Sequence, residues 1–383
     1  PVRLTDLNAG FAKKTVSRTE LVRWKGARDE EVEGLLYYPH RYEPGKKYPL
    51  VVMIHGGPAA ADFDQWSDSF AYPHQVLAQR GAFLFKPNYH GSSHYGLKWV
   101  ESIGGGNYYD LEVPDIEKGV DSLIARGLVA PEKLGVMGWS NGAILTIALT
   151  VETTRYKAAA AGAGDVEWVS DWGNCLFGAA FDNYYFGKTP LEDPDLYRAK
   201  SPFFRMDRVR TPTIIFFGTE DRQVPTQQGW LHYRALQQLG KTDVRFVLFP
   251  GEGHGPGKLM HQQRKIEEEA AWMDRYLFQS LKEEDPSLKA DSPLARALKI
   301  RGALADGFRL GEIVKGRLVP GVVRHAGLDV GRFEVTRAQY AEFDKSYRVD
   351  AGKENYPANN VAFAQARAYC EWLSGWTGRP HRL

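Results

Sequence analysis

Three side chains far apart in the chain, Ser140, Asp221 and His254, are of the types that together make a hydrolytic nucleophile. Ser140 is the centre of Gly138-Trp139-Ser140-Asn141-Gly142, a G-x-S-x-G pattern that follows the strand-like "KLGVM" and precedes the helix-like "AILTIALT". Small residues on both sides let such a turn tighten, so that the hydroxyl stands at the strand end with the first N–H groups of the helix aimed toward it. A serine hydroxyl is a weak nucleophile until a base takes its proton, and the base in turn needs a group that orients it. His254, in "FPGEGHGPG", lies just beyond the apolar run "RFVLF", and Asp221, in "FFGTEDRQVP", just beyond "TIIFF". The charge that develops on an attacked carbonyl oxygen needs preorganised donors. The backbone N–H groups of Gly57, in "VVMIHGGPAA", and of Asn141, directly after the serine, are the candidates. Singly, His254 reads as a loop histidine, Asp221 as a turn former and "HGG" as a tight turn. Their joint occurrence, each at the end of an apolar run, makes chemistry the better explanation.

These residues need a scaffold that brings strand ends together. "EVEGLLYY", "YPLVVMIHG", "AFLFKPNY", "KLGVMGW", "KAAAAGAG", "TPTIIFFG" and "VRFVLFPG" read as strands, the first of them opening the pattern. "SFAYPHQVLAQRG", "VPDIEKGVDSLIARG", "NGAILTIALT" and "TQQGWLHYRALQQLG" read as helices between them. This alternation predicts an α/β fold whose mostly parallel sheet is covered by helices on both faces. Ligands then bind at the carboxyl ends of the strands. After "KIEEEAAWMDRYLFQSL" the chain becomes charged and proline-bearing, which marks residues 281–300 as a linker ahead of a segment, 301–383, rich in Gly, Arg and aromatics.

Composition narrows the function classes. The chain has 383 residues, 43% hydrophobic and 25% charged, with a net charge of +2. It has no basic block interleaved with aromatics, which argues against nucleic acid as a partner. Its apolar runs fall short of the roughly 18 residues a membrane span needs, so no membrane insertion is expected. The opening "PVRLTDLNAG" has neither a basic nor an apolar signal region and reads as a start inside a longer protein. Cys175 and Cys370 form no metal or disulfide pattern. "GKT" at 187–189 lacks the glycine of a phosphate loop, and His90 and His94 do not share a helical face, so no metal is expected.

In these blocks the sequence resembles the prolyl oligopeptidase family of serine peptidases, in its acylaminoacyl-peptidase and dipeptidyl-peptidase branches. The likeness covers residues 21–280 and rests on "RWKGARDEEVEGLLYYPHRYEPGKKYPLVVMIHGGP", "PNYHGSSHYG", "GLVAPEKLGVMGWSNG", "GTEDRQVP" and "GEGHG", in order. It implies an α/β-hydrolase fold, whose triad order is Ser, Asp, His, and no cofactor. It implies Ser140 as nucleophile, His254 as general base and Asp221 as the group that orients it. His55 stands where some relatives have an oxyanion-binding tyrosine, which favours the Gly57 N–H instead. Residues 1–20 resemble the tail of the β-propeller that precedes the catalytic domain in this family. The resemblance further implies an apolar slot for the substrate side chain lined by Val166, Trp168 and Val224, with Gln223 donating to a substrate carbonyl. "GRFEVTRAQYAEF" and "YPANNVAFAQARAYCEWLSGWTGRPHRL" resemble the opening of a formylglycine-generating-enzyme-like (sulfatase-modifying-factor) domain, a lectin-like α+β fold. Its oxidase cysteines would lie beyond this chain, so Cys370 is expected to be core packing and the segment a binding or structural module.

The expected function is hydrolysis of peptide bonds in short peptides through an acyl-enzyme. A carboxylesterase acting on small acyl esters is the alternative within the same chemistry. A non-catalytic binding module is the alternative from another class. Homo-oligomerisation and the choice between cytoplasm and periplasm stay open in the sequence, and the pairing of the two resemblances points to a soluble bacterial protein.

Overall fold

A computed structural model describes residues 10, 14–65, 69–280, 309–325 and 327–383. The chain divides into two units, Pro1–Lys282 and Glu283–Leu383. The expected linker, 281–300, and most of the expected propeller tail lie outside the described residues.

The first unit is built on strands β1 (Thr19–Lys25), β2 (Glu31–Tyr37), β3 (Tyr48–Ile54), β4 (Phe83–Asn88), β5 (Val129–Trp139), β6 (Tyr156–Gly162), β7 (Thr213–Gly218) and β8 (Val244–Phe249). They form one sheet in the order β1-β2-β4-β3-β5-β6-β7-β8. The pairings of β2 with β1 and β4 are antiparallel and all others parallel. β1 precedes the first expected strand, and Thr19 and Glu20, assigned from the sequence to the upstream tail, already pair with Tyr37 and Leu36.

Helices cover both faces, so the central strands read as unbroken apolar runs. Along β3 the side chains alternate. Leu50, Val52 and Ile54 enter the core on one face, with Ile116, Val120, Leu145 and Leu149 of the helices α3 (Glu112–Ala125) and α4 (Asn141–Glu152), which follow the short α1 (His74–Gln79) and α2 (Leu97–Glu101). Val51 and Met53 enter the core on the other, with Leu77 of a short helix, His74–Gln79, and Trp272 and Met273 of a long one, Leu259–Met273. Register lines up the strand ends: Ile54 lies opposite Gly138, Trp139 opposite Gly162, Gly162 opposite Phe216, and Gly218 opposite Phe249. The segments holding Gly57, Ser140, Asp221 and His254 all leave the sheet at this edge.

In the second unit the described residues form two antiparallel ladders, Glu312–Val314 with Arg317–Val319 and Val322–His325 with Leu328–Gly331, and two helices, Arg337–Phe343 and Phe363–Thr377. Thr336 caps the first helix by accepting from the Gln339 N–H, while the Gln339 side chain accepts from the Thr336 N–H. Val319, Tyr340, Tyr369 and Leu373 make its core. Cys370, expected in that core, is only half-buried, because one helical position turns it about 100° from Tyr369.

Glu112, at the start of α3, is fully buried, and its Oε1 has no hydrogen-bond partner. Burial pushes its carboxyl up from 4.5 to about 8. The folded chain therefore keeps this proton to higher pH than the unfolded chain, and the group's contribution to stability falls as pH rises from about 4.5 to about 8. Glu112→Gln should remove this fall, which is on the order of a few kcal/mol. Urea unfolding at pH 5 and pH 9 checks it; an equal loss in both proteins would contradict the assignment.

Candidate active site

β5 ends at Trp139, and the chain turns into α4 through Ser140, whose φ of 57° and ψ of −128° are strained for a residue with a side chain. The Ser140 N–H donates to the Gly162 carbonyl of β6 (2.8 Å), and the Ser140 carbonyl accepts from the N–H groups of Ala143 (2.8 Å) and Ile144 (3.0 Å). The turn closes only because it is flanked by glycines. A Cβ on Gly138 would lie 2.2 Å from the Gly142 backbone, and one on Gly142 would lie 1.9 Å from the Ile54 carbonyl oxygen.

Ser140 Oγ is 2.8 Å from His254 Nε2. His254 Nδ1 is 2.9 Å from Asp221 Oδ2 and 3.2 Å from Oδ1. With a carboxylate at Nδ1, the neutral ring carries its proton there, and Nε2 is free to accept from the serine hydroxyl. Asp221 Oδ1 also accepts from the N–H groups of Gln223 (3.0 Å) and Val224 (3.1 Å), so the buried carboxylate is satisfied on both oxygens. The histidine loop is pinned twice. Trp139 Nε1 donates to the His254 carbonyl (2.7 Å), and the Glu252 carboxylate accepts from the N–H groups of Gly257 (2.8 Å) and Lys258 (3.1 Å).

Asn141 opens α4, where the first N–H groups have no intrahelical acceptor. Its side chain is held by two tyrosines: the Tyr108 hydroxyl donates to Oδ1, and Nδ2 donates to the Tyr89 oxygen (2.9 Å). Gly57 comes from the loop after β3 and lines the same cavity. His55 is buried instead, stacked on Tyr89 with Nε2 2.9 Å from Ser92 Oγ.

The cavity beside Ser140 encloses about 340 Å³. Ser140, Asn141, Gly57, His254, Gln223 and Val224 line it, while Asp221 sits behind His254. Val166 and Trp168 do not line it. Val166 packs with Met206 and Leu236, and Trp168 is fully buried, its Nε1 donating to the Tyr109 hydroxyl (3.1 Å) and the Lys200 carbonyl (3.2 Å). Successive side chains in this segment leave on opposite sides, so Asp165 faces the cavity and Val166 the core. Asp171, Phe177, Phe181 and Tyr72 also line the cavity and were not anticipated. The one available signal was the pair of aspartates in "GDVEWVSDW", directly after a strand end.

The prolyl oligopeptidase family profile matches residues 68–280. The chain belongs to the prolyl oligopeptidase family. It is 29% identical over 280 residues to the uncharacterized peptidase YuxL of Bacillus subtilis, a match covering 72% of this chain and 42% of the relative. Among solved structures it is similar to Pyrococcus horikoshii acylaminoacyl peptidase, with a TM-score of 0.67 and 25% identity over 74% of this chain and 46% of that one. An acylaminoacyl peptidase in complex with Z-Gly-Gly-Phe-chloromethyl ketone matches with a TM-score of 0.66 and 26% identity, over 77% of this chain and 46% of that one. The chain thus spans less than half the length of these family members.

The tight elbow makes a sharp prediction. Gly142→Ala should cost more than about 2 kcal/mol or abolish folding. Gly173→Ala, at a helical site with nothing within 4 Å of the added Cβ, should be neutral or stabilising by up to about 1 kcal/mol. Thermal melts of the two variants decide; similar melting temperatures would show that the elbow relaxes freely.

Proposed function

We propose that the first unit is a serine peptidase that hydrolyses peptide bonds in short peptides through an acyl-enzyme. The observation that carries this is the continuous hydrogen-bonded line from Ser140 Oγ through His254 to Asp221, with the serine on a strained elbow beside a cavity. Membership of the prolyl oligopeptidase family and the peptidyl chloromethyl ketone bound by a related peptidase support peptides as substrates.

In this mechanism His254 Nε2 takes the hydroxyl proton as Ser140 Oγ bonds to the substrate carbonyl carbon. The carbonyl electron pair moves onto oxygen, which accepts from the N–H groups of Gly57 and Asn141. The C–N bond then breaks, and His254 gives its proton to the departing amine. A water, deprotonated by His254, attacks the acyl carbon; the acid product leaves, and Ser140 regains its proton. Asp221 holds the ring in the required tautomer and stabilises the imidazolium. No step calls on a cofactor. Gln223 and Val224, on the cavity wall, are proposed to contact the substrate.

Residues 21–280 are proposed as the catalytic domain. Residues 301–383 are proposed to open a formylglycine-generating-enzyme-like module with a binding or structural role, a reading that rests on the two sequence blocks quoted above. Among the described residues no helix is long and apolar enough to cross a membrane.

A fluorophosphonate probe should label the protein, and Ser140→Ala should abolish the labelling. On peptidyl anilides the same variant should lower kcat by about 10⁶-fold, and Asp221→Asn by about 10⁴-fold through loss of the correct tautomer. Turnover of nitrophenyl esters without turnover of anilides would replace the peptidase reading with the esterase one. Unchanged labelling in Ser140→Ala would remove Ser140 from the chemistry.

A further inference from the structure

The cavity beside the nucleophile holds an unusual set of groups. Asp165, Asp171 and Asp182 are at most 3% exposed. Asp165 and Asp171 line the cavity, close enough for the charge of Asp171 to oppose that of Asp165. Asp182 lies close enough behind for its charge to oppose that of Asp171. Among the described residues no lysine or arginine pairs with any of the three. The Cys175 thiol, near Asp171, donates to the Gly178 carbonyl (3.3 Å). One oxygen of Asp165, one of Asp171 and both of Asp182 are buried with no protein N–H donor. Buried carboxylates elsewhere differ: Asp115 accepts from the N–H groups of Ala27 and His90 and from the His90 ring, and one oxygen of Glu269 accepts from Lys265, while its other oxygen and Glu112 Oε1 have no partner.

Apolar side chains also line the cavity. Ile144 and Val224 are buried against it, and Phe177 and Phe181 form an aromatic side. A cavity lined both by apolar side chains and by two carboxyls with no protein cation among the described residues matches the two parts of a long cationic side chain, a methylene stem and a charged tip. We infer that this cavity is the subsite for a lysine or arginine side chain on the acyl side of the scissile bond, and that Asp165 and Asp171 select it. This assignment rests on the peptidase reading and names its substrate class.

Burial and the neighbouring carboxyls hold these groups above the usual carboxylate range, Asp165 well above it, Asp171 up to about 6 and Asp182 up to about 8. An ammonium or guanidinium against them opposes that shift and favours the ionised forms. A phenylalanine side chain would fill the apolar part and leave the carboxyls unpaired, so binding it forgoes the charge-assisted contacts.

The test uses N-blocked tripeptidyl aminomethylcoumarins that differ only in the last residue: lysine, arginine, norleucine or phenylalanine. Norleucine matches most of the lysine stem without the charge, and the blocked amino end removes a competing cation. The expected result is a kcat/KM for lysine and arginine at least about 30-fold above norleucine. Asp171→Asn should reduce this preference to within about 3-fold. Asp165→Asn is the second variant should the first fail to fold, and fluorophosphonate labelling of Ser140 reports an intact elbow in each. 4-Aminobenzamidine, a soluble cationic probe, should slow that labelling in the native protein and not in Asp171→Asn. Equal turnover of lysine and norleucine peptides with no amidine protection would overturn the subsite and leave the peptidase reading standing. A strong preference for unblocked peptides whatever the last residue would reassign the carboxyls to the substrate amino terminus and overturn the side-chain assignment. Amidine protection with no amide cleavage would sink the peptidase reading while supporting the cationic subsite.

Discussion

The contact on which the site depends is the approach of Gly142 to the Ile54 carbonyl, so close that an added Cβ would lie 1.9 Å from that oxygen. It joins three elements at one point: the end of β3, the elbow after β5 and the first turn of α4. Because β3 and β5 are in register there, with Ile54 opposite Gly138, the loop carrying Gly57 and the helix N-terminus at Asn141 are held beside Ser140, lining one cavity. The same closeness sets the positive φ of Ser140. Strain of this kind persists only where surrounding structure over-determines it, and here it is locked by the Ser140 N–H bond to Gly162 and by an α4 that is buried along almost its whole length.

Carboxyls at this edge of the sheet have two fates, and the difference lies in their donors rather than their type. Asp221 accepts from two backbone N–H groups and from the His254 ring. Asp165, Asp171 and Asp182 share the same low-dielectric region, have each other as neighbours, and are pushed upward. Asp221 is among the charges that raise Asp165 and Asp171, so the orienting acid and the cavity wall are electrostatically linked. A cation in the cavity would relieve the wall without competing for the donors that hold Asp221.

Much of this architecture is legible in the amino-acid sequence. The expected strands from residue 31 onward are strands, since their apolar runs are long enough to be buried on both faces. The strand ends then follow, and with them the neighbourhoods of Ser140, Asp221, His254 and Gly57. The features that escape a reading of the sequence do so for local reasons. β1 carries only Val22 and Trp24 as buried apolar positions, a weak alternation that reads as a tail. The short helices after β6, such as Trp168–Asn174 and Ala180–Phe186, have too few turns for a period to show. Val166 and Trp168 are expected in the cavity because they are apolar and near it, yet an apolar residue beside a cavity is as readily taken into the core behind it.

The sequence by itself determined the α/β alternation, the glycine-flanked serine and the order of serine, aspartate and histidine, because these depend on local periodicity, on small residues and on position after a strand. It also carried the membership of the prolyl oligopeptidase family. Only the tertiary structure decided which side chains face the cavity. That choice depends on the rotation of each residue about the backbone and on what packs behind it. It turned Asp165 toward the cavity and Val166 into the core, brought Asp171 to the same cavity, and left their carboxyls without a cation among the described residues.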